Sequence, residues 1–509
     1  MQIQDELHAL LAQIGPGRIS STAYDTAWFA RLAPLDASIS AAAVAWLRGN
    51  QHADGSWGAR FPHYHHDRLI CTLAAMIALA YYGNETDQPR LERARATLKP
   101  ALKGLHDDPN GETVGFEMIV PTLLEETQRL GVYEYNGNGT LEKLIRKRSA
   151  KIAALPGGMI NRHVSAAFSS EMAGPDGLHL LDVPRLQEAN GSVGNSPAST
   201  AFFALTAQPG DERALAYLRQ VATENDGIPF VSPFDVFERA WVLWNLSLVQ
   251  KQLPADVLAA CQPHLDYLER AWVPGQGLGF SAFYTPKDAD DTTVAYDVLT
   301  AFGRSPDLDS VLAYESETHY RCYLIESNPS ISVNIHALGA LAQAGFAPDH
   351  PSVRKIKTFL TGMQSEQGAW FDKWHASPYY TTTHAVIACC AFGDHAAQTA
   401  ADYEPIERAI AWILETQSAG GGWGYYEMPT AEETAYCLQA LTVWQRQGGQ
   451  VPLEILQHGA AWLAMHSEPP YPPLWIGKSL YSPELIVRSA VLSALLLVRE
   501  AVSLVTTSY

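Results

Sequence analysis

The feature that most restricts the fold is a pattern that recurs three times. AWLRGNQHADGSWG (45–58), FLTGMQSEQGAW (359–370) and AWILETQSAGGGWG (411–424) each run from an apolar helix end to a Gln and then to Gly-x-Trp. A Gln at that place can bond backbone groups left open at a helix end. The Gly allows a tight turn, and the Trp covers the next helix. Such a unit ties outer helices to inner ones, so the pattern predicts a helical barrel with a structural role for the repeats.

The rest of the chain follows the helical period. DDTTVAYDVLTAF sets Ala295, Val298, Leu299 and Phe302 on one face, and AEETAYCLQALTVW and VSAAFSSEMAG carry similar stripes. Gly, Pro, Asn and Asp clusters separate them at about helix-hairpin spacing, and no series of alternating strands stands out. The expected class is all-α. At 509 residues the chain has room for about three average domains.

Charge and apolar runs narrow the function. A formal charge of -19 argues against a broad nucleic-acid face, so an anionic ligand must meet a local basic pocket. The start, MQIQDELHALLAQIG, lacks the basic region of a signal peptide. The longest apolar run, LICTLAAMIALAYYG, is too short to span a membrane. Cys71, Cys261, Cys322, Cys389, Cys390 and Cys437 have neither metal-ligand nor secreted-scaffold spacing, which suits the cytoplasm.

KDADDTTVAYD (287–297) holds Asp288, Asp290 and Asp291 together just ahead of an apolar stretch. Like charges this close need a reason: a metal ion, a helix cap formed by Asp290 and Asp291, or a retained proton. Carboxylates gathered on a cation would be ionised, and no matching His or Glu cluster follows in sequence.

With these blocks in view, the chain resembles the class II terpene cyclases, relatives of squalene-hopene cyclase. The repeats look like their QW motifs, DADD like their DxDD acid motif, and STAYDTAWFARL (21–32) like the SxYDTAW signature of diterpene cyclases. TVGFEMIVPTL (113–123), NGSVGNSPAST (190–200) and LWIGKSLY (474–481) match further blocks in order. The likeness spans nearly the whole chain and is nearest to bacterial bicyclic diterpenyl diphosphate synthases. It implies two α-barrel domains, a β domain at about 1–18 and 250–509 with a γ domain inserted at 19–249, and a cavity between them.

By the same resemblance Asp290 is the general acid, Asp288 and Asp291 shape its hydrogen bonding, and Asn334 orients it. The chemistry agrees: an alkene is a very weak base, and its protonation takes a carboxylic acid kept neutral in a dry place. Burial and neighbouring carboxylates favour that neutral form, while a helix N-terminus opposes it. The migrating positive charge needs aromatic walls, for which Trp370, Trp374, Tyr379 and Tyr380 in GAWFDKWHASPYY are candidates.

The family also implies a geranylgeranyl diphosphate substrate, with Lys151, Lys373 and Lys478 binding its diphosphate. Asp108 and Glu112 in HDDPNGE fall where an acidic Mg2+-linked motif lies, though with different spacing. Plant copalyl-type synthases use a His-Asn pair to hold a deprotonating water, and those positions match Phe168 and Phe230 here. Two apolar rings imply a longer-lived cation and a rearranged product of kolavenyl or halimadienyl type. No DDxxD motif with its downstream triad is found, so the diphosphate is expected to survive and pass to a class I synthase or phosphatase. A copalyl- or drimenyl-type synthase and a non-catalytic helical scaffold binding a prenyl group are the alternatives. Oligomeric state is not indicated.

Overall fold

The computed structural model describes residues 2–134, 139–224, 226–323, 326, 328–393 and 400–507. The protein is all-α; among the described residues the paired strands are two short segments, Trp475–Ile476 against Leu480–Tyr481. No described helix is long and apolar enough to cross a membrane.

Six helices close a ring: Asp235–Ser247, Ala289–Ala301, Ile331–Gln343, Pro378–Cys390, Ala431–Arg446 and Glu484–Thr507. Each packs on the next, and the last packs on the first. Outer helices such as Ala255–Ala271, Pro351–Met363, Ala400–Glu415 and Leu453–Met465 connect consecutive inner ones, so all six inner helices run in one direction. Gln2–Gln13 packs on both Ala255–Ala271 and Glu484–Thr507, completing the outer layer. A second ring is built from Ala23–Ala30, His65–Tyr82, Phe116–Arg129, the 3-10 segment Ser165–Ala173 and Pro197–Phe202.

Each ring encloses its own apolar core. One core gathers residues from Ala23 to Ile228; the other joins Leu7, Leu10, Leu11, Ile14 and Ile19 to residues from Phe230 onward. The insertion is visible in these cores, but its second boundary is not at 249/250. The helix Asp235–Ser247 is an inner helix of the later ring, so the chain changes core between Ile228 and Phe230. Composition does not betray this boundary because both sides of it are apolar.

The repeats act as joints. Gln51, Gln364 and Gln417 each donate to the carbonyl of a following glycine, Gly55, Gly368 and Gly421, at 2.8 Å. Each also donates to a carbonyl of the next outer helix, Arg90, Pro405 and Ile455 respectively. The indoles of Trp57, Trp370 and Trp423 donate back to Leu47, Leu360 and Ile413 at 2.7–2.8 Å. Inner helices grip the same turns, because the Trp backbone N–H groups donate to Thr72, Thr382 and Thr434.

Two further joints have no Trp. Val193 donates its N–H to Thr200, and Leu278 donates to Thr292, each at 2.9 Å. Gly277 has φ 79°, and a Cβ there would lie 2.2 Å from the Thr292 hydroxyl, so only glycine fits this close approach. Trp370 therefore belongs to a joint and is buried away from any chamber, which corrects its expected place in the cavity.

Gln364→Ala removes the hydrogen bonds it donates to the Gly368 and Pro405 carbonyls and the one it accepts from Arg408, worth about 1–3 kcal/mol together. A lower Tm with unchanged activity per folded molecule is expected; thermal denaturation followed by assay at 25 °C checks both.

Candidate functional site

The two rings meet at the ends where their inner helices begin. Leu480 donates its N–H to Asp67 at 2.8 Å, Val114 donates to the Gly477 carbonyl at 2.9 Å, and Thr285 donates to Glu188. Lys478 is fully buried and reaches into the earlier ring, bonding Glu171 at 2.5 Å and Ser196 at 2.7 Å. Its ammonium lies 4.7 Å from the centroid of Phe168. The expected diphosphate role of Lys478 is thus corrected: its charge is already held by a buried carboxylate that also bonds Tyr24 and Ser199.

The acid motif opens the Ala289–Ala301 helix. The Leu278–Thr292 joint sets its position, together with the Asp288 N–H bonded to the Leu278 carbonyl and the Ala289 N–H bonded to the Cys322 carbonyl. Asp288 is the N-cap, its Oδ1 accepting the Asp291 N–H at 2.9 Å. The cap therefore falls on the first carboxylate, not on Asp290 and Asp291. Asp288 Oδ2 and Asp291 Oδ1 are buried without a hydrogen-bond partner.

Burial, with the charge of Asp290 adding to it, pushes the Asp288 carboxyl up to about 7. Asp291 is driven well above the usual range by burial and then by the charges of Asp288 and Asp290. The middle carboxyl differs from both: the Asp290 side chain keeps 16% exposure, and its Oδ1 lies 2.5 Å from His336 Nδ1.

Asn334 does not touch the acid. Its amide donates to the Tyr320 and Ser330 carbonyls and its oxygen accepts the Tyr320 N–H, so it pins the preceding loop to the Ile331–Gln343 helix. The residue that meets Asp290 is His336, two places later. His336 Nε2 faces His384 Nδ1 at 3.2 Å and the Tyr380 hydroxyl at 3.4 Å. With Nδ1–H donated to Asp290, Nε2 is left to accept from either neighbour.

From His336 an aromatic wall runs toward the earlier ring. Trp241 stands edge-on to His336 at 5.7 Å and donates its indole N–H to Tyr380. Phe237 stacks on Trp241 at 3.9 Å and on Phe234 at 4.2 Å, and Trp475 packs on Tyr380 at 4.8 Å. Phe230 meets Tyr481 at 4.4 Å and Phe168 at 5.9 Å, and Phe280 completes the contact with Phe168. Of the expected wall residues, Phe168, Phe230 and Tyr380 are here. Tyr379 instead packs on Trp412 at 4.5 Å, toward the outer layer, because successive positions on a helix face different sides. Trp374 lies beside the strand pair, its carbonyl accepting the Ile476 N–H, with the Lys373 ammonium 5.1 Å from its ring. Trp241, Phe237, Phe234, Phe280, Trp475 and Tyr481 were not singled out in the sequence, where they are indistinguishable from core aromatics.

The remaining cation and metal candidates do not converge. Lys151 pairs with Glu117 on a half-exposed surface, and Lys373 pairs with Glu326 and the Asn328 carbonyl. Asp108 accepts the N–H groups of His65 and His66 at 3.0 and 2.8 Å and the His66 ring at 2.6 Å, capping the His65–Tyr82 helix. With both oxygens committed to this cap, Asp108 does not suit a Mg2+ ligand. The Glu112 carboxyl is raised by burial and by Glu117. Among the described residues no group of three His, Cys, Asp or Glu side chains could hold a metal ion.

A carboxyl that holds its proton more tightly when folded loses stability as pH rises from its unfolded to its folded value. Asp288→Asn keeps a cap and removes that titration. The Tm of the variant relative to wild type is expected to climb between about pH 4 and about 7 and then level off; melting curves across that range check it.

Comparison with known proteins gives the same architecture. Residues 19–102 match the squalene-hopene cyclase N-terminal domain and residues 322–469 the C-terminal domain. The type B diterpene cyclase of Mycobacterium tuberculosis is 44% identical over 507 residues, covering 98% of this chain and 99% of that one. The (+)-kolavenyl diphosphate synthase of Herpetosiphon aurantiacus is 30% identical over 97% of both chains. The solved ent-copalyl diphosphate synthase from Streptomyces platensis superposes with a TM-score of 0.77 at 30% identity, covering 98% of this chain and 99% of that one. A likeness of this degree along almost the full length, on a double ring of helices with an aspartate cluster at their junction, makes the chain a member of the class II diterpene cyclase family.

Proposed function

We propose that the chain protonates the terminal alkene of geranylgeranyl diphosphate through Asp290 and closes it to a rearranged bicyclic diterpenyl diphosphate of kolavenyl or halimadienyl type. The observation that carries this reading is the contrast within DADD. Asp288 and Asp291 are buried, while Asp290 alone keeps an exposed face and is backed by His336 at 2.5 Å.

The chemistry follows from that contrast. His336 Nδ1–H bonded to Oδ1 stabilises the carboxylate that forms when the other oxygen gives up its proton. The proton goes to the terminal alkene carbon, and the π electrons of successive double bonds close the two rings. Trp241, Phe237, Tyr380 and Trp475 offer ring faces to the migrating charge, about 0.5–2 kcal/mol each, and offer it no basic lone pair comparable to a carboxylate. At the far side Phe168 and Phe230 meet edge to face, an arrangement that cannot orient a water molecule for early deprotonation. Hydride and methyl shifts then precede proton loss. The diphosphate stays on the product, which a class I synthase or phosphatase would consume.

Lys151 and Lys373 remain the lysines offered to the diphosphate, since their pairs are partly exposed and exchangeable at little cost. Mg2+ enters as the counter-ion of the diphosphate, with no ligand on this chain assigned to it. The cytosol is the proposed compartment, in keeping with six cysteines that form no disulfide.

A copalyl-type product is the second reading, favoured by the relatives named copalyl diphosphate synthase in Streptomyces anulatus and Streptomyces cyslabdanicus. Incubation with geranylgeranyl diphosphate, dephosphorylation and mass spectrometry against standards separates the two. A rearranged bicyclic alcohol from wild type and none from Asp290→Ala is expected; unrearranged copalol as the main product selects the second reading, and no cyclised alcohol from wild type overturns both. His336→Ala is expected to lower kcat by about 10²-fold. Phe168→His combined with Phe230→Asn is expected to shift product toward the unrearranged skeleton in the same assay.

A further inference from the structure

Behind the acid-side end of the aromatic wall stands a carboxylate with no part in the proton transfer. Glu432, in the first turn of the Ala431–Arg446 helix, is wholly buried. Three donors converge on its Oε1: the Trp475 indole N–H at 2.7 Å, the Tyr436 hydroxyl at 3.2 Å and His375 Nε2 at 3.2 Å. Its Oε2 is buried with no hydrogen-bond partner among the described residues.

The neighbouring ring does not cancel this charge. The Ser377 N–H points at His375 Nδ1 from 3.1 Å, so Nδ1 is an acceptor, the imidazole is neutral, and its one N–H goes to Glu432. Nor does packing call for an anion. A single carbonyl oxygen would accept the same three bonds, and burying a carboxylate with one oxygen unused costs stability.

Position gives the charge a use. Trp475 packs on Tyr380 at 4.8 Å and on Phe237 at 5.5 Å, and the Tyr380 hydroxyl lies 3.4 Å from His336, the partner of Asp290. Glu432 and Trp475 therefore back the end of the wall nearest the acid, whereas Phe168 and Phe230 form the far end. A carboxylate bonded to an indole N–H pushes electron density into the ring and adds its own field at the ring face. Having no accessible surface itself, it attracts a cation across the ring without bonding to it.

Rearrangement needs such a pull. Ring closure carries the positive charge away from the alkene carbon that Asp290 protonates. The shifts that follow bring it back: a hydride or methyl group leaves one ring carbon with its bonding pair and bonds to the adjacent cationic carbon, so the charge moves one carbon the other way. We propose that Glu432, acting through Trp475, is the positioning residue that draws the charge back toward the acid end and so selects the rearranged skeleton. This deepens the proposed function and rests on it. Asp290, ionised by the first step, pulls toward the same end, so loss of the Glu432 charge weakens the return without abolishing it.

Glu432→Gln isolates the charge, since its carbonyl can keep all three donors and no described donor is lost at Oε2. The measurement is the ratio of rearranged to unrearranged bicyclic alcohol after incubation with geranylgeranyl diphosphate, dephosphorylation and mass spectrometry. The ratio is expected to fall about tenfold, while KM stays within about twofold of wild type because the bound substrate carries no cation there. An unchanged or higher ratio, with or without a loss of rate, overturns the proposal. Should Glu432→Gln not fold, Trp475→Phe carries the test: the phenyl keeps a ring in the wall but has no N–H to take up the charge. A fall in the ratio is again expected, and an unchanged ratio again overturns the proposal. Unrearranged copalol as the main wild-type product would overturn both this inference and the product reading beneath it, and that result is distinct because it needs no variant to be seen.

Discussion

The structure depends on a threonine hydroxyl accepting one backbone N–H. At Thr72, Thr200, Thr292, Thr382 and Thr434 an inner helix seizes the turn that arrives from the outer layer. Each bond is worth only about 1 kcal/mol, yet each closes the register between layers at one place. Thr292 follows the acid motif directly, so the joint that fixes the barrel also fixes where Asp290 stands. Gly277 makes this position intolerant of change, since any side chain would strike the threonine.

Holding three carboxyls at one helix start works against their mutual repulsion and against desolvation. The helix N-terminus compensates one of them in part, since Asp288 accepts the Asp291 N–H, while burial and the charges of Asp288 and Asp290 drive the Asp291 carboxyl toward its protonated form. A comparable problem is solved differently where the rings join. There Lys478, Glu171 and Asp25 are buried together, and burial raises Asp25 to about 7 even with the Lys478 charge drawing it down. A buried pair of this kind contributes little net stability, but removing one partner strands the other. It fixes how the strand pair Trp475–Ile476 and Leu480–Tyr481 enters the junction, and through Trp475 and Tyr481 it shapes the aromatic wall.

How much of this could be read from the sequence depended on range. Short-range devices were legible: the Gln and Gly-x-Trp turns, the helical period and the aspartate cluster. Joints without Trp at Val193 and Leu278 escaped, because the backbone bond to threonine leaves no side-chain signature. Long-range pairings also escaped. Asn334 and His336 are both polar, helical and two residues apart, and only the packing of two inner helices decides which reaches Asp290. Lys478 reads as a free cation in GKSLY until the earlier ring brings Glu171 against it. Asp108 reads as a metal ligand until the start of the His65–Tyr82 helix is seen beside it.

A chamber for carbocations must also withhold nucleophiles, and the junction contains many carboxylates. Several of them are engaged by donors of the same scaffold. Asp67 accepts the N–H groups of Ala59 and Leu480, and Asp372 accepts those of Ile331 and Ser332. Glu433 accepts from Tyr425, Ser377 and Thr430, and Glu432 Oε1 accepts from the Trp475 indole. Each thereby caps a helix or fixes a loop through at least one of its oxygens. Because inner helices begin at the junction, their unsatisfied N–H groups gather there and need acceptors. The fold therefore demands acids around the chamber and neutralises them in the same step. Asp290 differs because the cap beside it is already filled by Asp288, which leaves its carboxyl partly exposed and bonded to His336, and this is the carboxyl to which the proposed general-acid role is given.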